Sequence, residues 1–223
     1  MDNIKSKILL YHASTMEVRK PVWNYAGAKE KKDFGVGFYA CENDEYPIKL
    51  YSDNDIVVLN TYEIDTRGLK VIKLENDVNW LLAVGFHRRD YSRRKKLHAL
   101  RDKYRRWISD ADMVIGAISD DNLFSTVDAF LDNIITDFVA LGIVQMMKYE
   151  NQYVLKSDLA CGKLEFKGSK QVSNGVILKY REQRHAEKNN MDDSVSELMG
   201  ELVGMNKGKT FETVLREMEN NGL

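Results

Sequence analysis

The side chains with the most chemistry to offer lie in one run, Asp33-Phe34-Gly35-Val36-Gly37-Phe38-Tyr39. Two glycines one residue apart permit positive φ and let backbone come close to a ligand. The aromatics after them can present a flat face to a ring. Gly35, Gly37 and Ala40 also fill the small positions of a dinucleotide fingerprint. That fingerprint must follow an apolar strand and open a helix, and Lys29-Glu30-Lys31-Lys32-Asp33 makes no buried strand. The plain alternative is a glycine turn followed by core aromatics.

Three other places carry reactive or charged groups. His12 closes an apolar stretch, Ile8-Leu9-Leu10-Tyr11, and is either a satisfied core histidine or a ligand-facing one. Glu150 and Gln152 are two positions apart, so on a strand both side chains would share a face. Between residues 88 and 106, ten Lys or Arg face only Asp90 and Asp102, a local charge of +8 in a chain of net charge -1. Tyr91, Tyr104 and Trp107 interleave with Arg88, Arg89, Arg93, Arg94, Lys95 and Lys96. Aromatics among cations suit single-stranded nucleic acid, where bases stack and phosphates pair with the charges. The alternatives are a solvated helix face, a seat for a pyrophosphate, or a contact for an acidic protein. His87, His98 and His185 give no usable signal, and Cys41 reads as a small buried residue or a pocket wall.

The elements that must position these groups alternate strand and helix. Residues 7–14 read as a buried strand, 55–64 as a β-branched strand, and 68–74 as its partner across 65–67. Asn43 is placed to cap a short helix bent by Pro47, and Asp77 to open one carrying Trp80, Leu81, Val84 and Phe86. Residues 112–118 form a further strand ending in Ser119-Asp120-Asp121, and 122–132 an amphipathic helix. Thr136 caps another helix to about 147; strands follow at 149–155 and 163–167. From 174 onward, helical stretches near 177–188, 194–203 and 211–219 carry apolar faces too small to be stable alone.

Composition bounds the class. At 223 residues, 43% of them hydrophobic, the chain has room for one domain of ordinary core size and a small appendage. Two cysteines without a CxxC pair, and four histidines, imply neither a disulfide framework nor a zinc site. No apolar run approaches the ~20 residues of a membrane span, and Ile8–Tyr11 is too short for a signal-peptide core. The expected setting is a reducing cytoplasm.

Taken in order, Leu10-Tyr11-His12-Ala13-Ser14, the run 33–39, Trp80-Leu81 with Arg88, Ile115-Gly116-Ala117-Ile118-Ser119-Asp120-Asp121 and Asn151-Gln152-Tyr153 resemble the ADP-ribosyltransferase superfamily. The likeness is to its His–Tyr–Glu branch, and more narrowly to a bacterial domain family whose members include toxins of toxin–antitoxin–chaperone systems that act against phage. It covers about residues 7 to 170. It implies an α+β domain with a split antiparallel sheet and flanking helices over about residues 1–172, and a helical segment over 173–223 that contacts an antitoxin, a chaperone or the domain itself. It also implies NAD as co-substrate, no metal, and RNA as the favoured acceptor over protein. His12 and Ser14 would meet the adenosine-side ribose, Tyr39 would stack on nicotinamide, and Gly35, Gly37 and Phe38 would shape the seat. Gln152 stands where the best-known pattern has glutamate. It can hydrogen-bond a ribose hydroxyl but carries no charge, so Glu150 and Asp121 are the candidates to supply one.

Overall fold

The computed structural model describes residues 5–25, 31–91, 95–147 and 150–220. Its centre is a mixed sheet of seven strands: β1 (Lys7–Ser14), β2 (Phe38–Cys41), β3 (Val58–Asp65), β4 (Val71–Lys73), β5 (Met113–Ala117), β6 (Asn151–Leu155) and β7 (Leu164–Gln171). They lie in the order β4-β5-β6-β2-β1-β3-β7, antiparallel throughout except for β4 beside β5. β1 and β3 stay in register from Lys7↔Asp65 to Ser14↔Val58, and β2 pairs along its length with β6. Between β1 and β2 there is one rung, Tyr11↔Cys41. Two half-sheets therefore meet at a single residue pair and part on either side of it. The class is α+β.

One pairing differs from the expectation. Residues 71–73 do not return along β3; they run parallel to 113–115 on the far edge. Both edges of β3 are already taken by β1 and β7. The tight turn at Thr66–Leu69 sends the chain away instead.

Helices cover the sheet: α1 (Glu45–Tyr51), α2 (Val78–Arg88), α3 (His98–Ser109), α4 (Asp121–Leu131), α5 (Asp137–Met147), α6 (Asp158–Gly162), α7 (Asn174–Gly204) and α8 (Phe211–Asn220). Asn43 accepts hydrogen bonds from the Glu45 and Tyr46 amides, and Asp77 from those of Asn79 and Trp80. Each satisfies helix-start donors that would otherwise have no partner. The largest core forms around α2, where Trp80, Leu81, Leu82, Val84 and Phe86 are all fully buried. Trp80 donates its indole N–H to the Ala117 carbonyl, tying α2 to the end of β5. A second core lies among Leu10, Phe38, Tyr62, Ile115 and Tyr153, and a third joins Ile48 of α1 to Ile177 of α7.

The C-terminal helices number two rather than three. α7 runs unbroken through 189–190. An asparagine inside a helix costs only about 0.7 kcal/mol or less, and α7 is held at both ends, by Ile177 in the third core and by Leu202 against the first. Arg181 and Arg184 donate to the Ser52 and Leu50 carbonyls near the end of α1. α8 sends Phe211 and Val214 into the first core, with Phe211 edge-on to Phe130 at 5.7 Å. The surface these helices bury against is the domain itself.

Candidate functional site

Where β1 and β2 part, the sheet leaves a cavity of about 360 Å³. β1 contributes His12, β2 Tyr39 and Cys41, β6 Gln152, α1 an apolar wall with Leu50, and the end of α2 Arg88. His12 spans the parted strands: its Nδ1 donates to the Tyr39 carbonyl at 2.7 Å, a bond the missing ladder would have made. A carbonyl only accepts, so Nδ1 carries the proton and Nε2 is left as an acceptor. Burial lowers the His12 pKa, against the Tyr39 carbonyl that raises it, and Lys32 lowers it further, which favours the neutral ring. Phe38 is not part of the wall. It lies in the second core, 4.5 Å from the His12 ring and 5.6 Å from Tyr62, and supports His12 from behind.

Sequence reasoning assigned no role to Asp33, and it proves to be the hub of the site. Its carboxylate is 6% exposed and accepts the Ser119 amide at 2.8 Å, the Gln152 Nε2 at 2.6 Å and Arg88 at 3.3 Å. Burial raises its pKa, opposed by the Ser119 amide, Arg88 and Gln152. Arg88 also donates to the Ser119 carbonyl at 2.5 Å and lies 4.2 Å over the Phe124 ring. Gln152 spends its second amide hydrogen on the Ala117 carbonyl at 3.2 Å, so its Oε1 remains to accept. The uncharged glutamine is thus in direct contact with a carboxylate from elsewhere in the chain. The only sequence sign was a lone acid between a lysine run and a glycine turn; the partners lie 55, 86 and 119 residues away.

Tyr39 is clamped by the turn before it. Its hydroxyl donates to the Gly35 carbonyl at 2.6 Å and accepts the Phe34 amide at 3.3 Å; burial drives the phenol pKa well up. The ring face meets Lys32, whose Nζ stands 4.5 Å from the centroid. Gly35 adopts φ 74°, which makes this turn possible. Gly37 is needed for a different approach than expected. A Cβ there would stand 2.5 Å from Val154 Cγ1 and 2.9 Å from the Leu155 carbonyl, so its close neighbour is β6 rather than a ligand.

The remaining candidates scatter. Glu150 is exposed just before β6, within 3.5 Å of the Asn43 amide, while Gln152 is buried in the cavity wall. Ser14 faces away from the cavity, bonding the Met16 carbonyl and accepting from Asn60, whose amide organises the loop after β1. Asp121 begins α4, and its side chain lies outside the described residues. Cys41 does line the cavity, but burial pushes its thiol up to about 12, which leaves it inert as a nucleophile. Ser119 also lines the cavity; it is 5% exposed, and its hydroxyl has no hydrogen-bond partner among the described residues.

The basic block divides. Arg88 belongs to the pocket, and Arg89 is bound to Asp132 at 2.6 Å and Asp128 at 3.6 Å. Tyr104 is buried between Phe86 and Trp107, with its hydroxyl on Asn79, and offers no face to a base. Arg93, Arg94 and the Lys96 side chain lie outside the described residues. What faces solvent is Lys95, Lys103, Arg106 and Trp107, the last 37% exposed.

Fold and site define an α+β protein with a cavity at the split of its sheet. Residues 8–166 match the family model described as "Protein of unknown function (DUF3990)", and the chain belongs to that family. No curated protein and no solved structure matches it. Among the described residues, no helix is long and apolar enough to cross a membrane.

Proposed function

We propose that this protein transfers ADP-ribose from NAD to RNA, acting as a toxin in defence against phage. One observation carries the reading: His12, Tyr39 and Gln152, far apart in sequence and each from a motif that resembles the ADP-ribosyltransferases, line one cavity at the split. The cavity fits a nicotinamide riboside in kind, with apolar and aromatic walls and few convergent polar groups. Bound NAD would supply the ADP-ribosyl group, the glycosidic bond breaking with its electron pair on nicotinamide while an acceptor nucleophile bonds the anomeric carbon.

The protein's own part is to hold and to polarise. Neutral His12 offers Nε2 to a ribose hydroxyl, and Gln152 offers Oε1 to another. Tyr39 presents a ring fixed at its hydroxyl; Lys32 already covers that face, as a flat cationic ring would. Asp33 stands behind Gln152 and supplies the negative charge that glutamine lacks, screened little because it is buried. Charge developing at a sugar centre, as in glycoside hydrolysis, is what such a group stabilises.

The solvent-facing Lys95, Lys103, Arg106 and Trp107 support RNA as the acceptor, with protein the lesser alternative. A second reading is a module that binds NAD without cleaving it, favoured by the burial that raises Asp33 toward its neutral form. Incubation with NAD labelled in the adenylate phosphate and separate RNA, DNA and protein pools tests the reading. Label in RNA with release of nicotinamide supports it; NAD binding with no nicotinamide released selects the silent module.

A further inference from the structure

A second cavity, of about 310 Å³, shares no lining residue with the first. The turn between Asp33 and Tyr39 separates them: the first takes Asp33 and Tyr39 into its wall, the second Gly35 and Val36. The other walls of the second are Trp23, His87, Arg105, Ser109 and Lys156. No carboxylate lines it among the described residues.

Lys156 is the unusual group. It is 5% exposed, and its Nζ donates to the Phe34 carbonyl at 2.6 Å and the Val36 carbonyl at 2.7 Å. Two of three ammonium hydrogens are so used, and no described acid pairs with the charge. Burial pulls the amine down to about 8, which still leaves it mostly protonated at pH 7. Buried charges are ordinarily paired, because an isolated one is costly. Arg105 spends Nε on the Phe86 carbonyl at 2.9 Å, and its terminal nitrogens remain. His87 donates Nδ1 to the Ala83 carbonyl at 2.7 Å, and burial lowers it to about 4, so Nε2 is an acceptor. The Trp23 indole is held by Asp158 at 3.0 Å and stays partly exposed.

A buried ammonium with no described acid beside it, a guanidinium whose nearby acid, Asp102, lies outside the cavity, an acceptor for a hydroxyl, and an indole line a space larger than one small anion, a combination that suits a nucleotide. We infer that this second cavity binds the phosphate of a nucleotide, through Lys156 and Arg105, at a site separate from the first pocket. Trp23 is placed to contact the base. The inference does not rest on NAD chemistry and holds whether or not the first pocket is catalytic.

The full chain labelled with nitrogen-15 gives a local readout, the indole N–H signal of Trp23, assigned with Trp23→Phe. The probes are uridine, uridine monophosphate and a 5′-phosphorylated oligouridylate. The monophosphate should shift the Trp23 signal saturably, and uridine should not. Lys156→Met and Arg105→Gln should each weaken the response about tenfold or more, the loss of one charge-assisted contact. Arg105 lies on a half-exposed helix face, so its variant stays informative if Lys156→Met fails to fold. Whichever of the two phosphates binds more tightly identifies a free nucleotide or a chain end as the ligand, and both support the site. An equal shift with uridine, no shift with either phosphate, or an undiminished response in Arg105→Gln would overturn it.

Discussion

Exchanging the carboxylate and the amide across the Asp33–Gln152 contact examines the site at its hub. Asp33→Asn keeps the shape and removes the charge. Three donors converge on Asp33, from Ser119, Gln152 and Arg88. The new amide group can only turn toward Arg88, since the other oxygen must keep accepting from Ser119 and Gln152. The fold then loses one charge-assisted hydrogen bond, about 1.5–3 kcal/mol. Turnover should fall by ~10²–10³, the usual cost of removing a preorganised electrostatic contact used in the transition state. Gln152→Glu alone should also fall, because two carboxylates 2.6 Å apart cannot both ionise and one is forced to take a proton. The double variant carries one carboxylate and one amide again, in swapped places, and should recover activity well above the product of the single losses. Nicotinamide release at saturating NAD gives turnover, and urea unfolding gives stability. Asp33→Asn with near-normal turnover, or a double variant no better than the singles combined, would refute the pairing.

Further outcomes follow from the same geometry. His87 has its pKa depressed from 6.5 to about 4; its contribution to stability is complete above 6.5 and is lost as pH falls through 4. That amounts to about 3 kcal/mol, so urea unfolding at successive pH values should show an acid slope that His87→Gln flattens. Phe211→Ala should cost about 3–5 kcal/mol by chemical denaturation, since Phe211 is 2% exposed in the main core; a change under 1 kcal/mol would make α8 a detachable arm. Replacing Lys95, Lys103 and Arg106 with Gln should lower the salt slope of single-stranded RNA binding by about 2, at ~0.7 per phosphate contact. An unchanged slope would leave α3 a solvated face.

Legibility followed sequence distance. Elements whose signals are local were readable: the Asp77 cap, the buried strand at 113–117, and the cap at Asn43. Strand partnership was not, because 71–73 has to find 113–115 once β3 is filled on both sides, and no property of residues 68–74 encodes that. The Asn189-Asn190 pair looked like a break because propensity is local, whereas the anchors that carry α7 through it lie at Ile177 and Leu202. In the site, His12, Tyr39 and Gln152 stood out by type and motif. Asp33 headed the glycine run and Arg88 sat in a motif and in the basic block, but the contact between them, 55 residues apart, did not show. The reading of 88–106 as one surface failed for a related reason. Helical phase turned Tyr104 inward, and a distant acid, Asp132, 43 residues on, claimed Arg89.

The most direct measurement of the central claim is nicotinamide release from NAD by the purified full chain, with and without RNA. Release should be accelerated by RNA, with ADP-ribose recovered on the RNA, and abolished in Tyr39→Ala judged folded by circular dichroism. No release under either condition, or equal release by that variant, would contradict it.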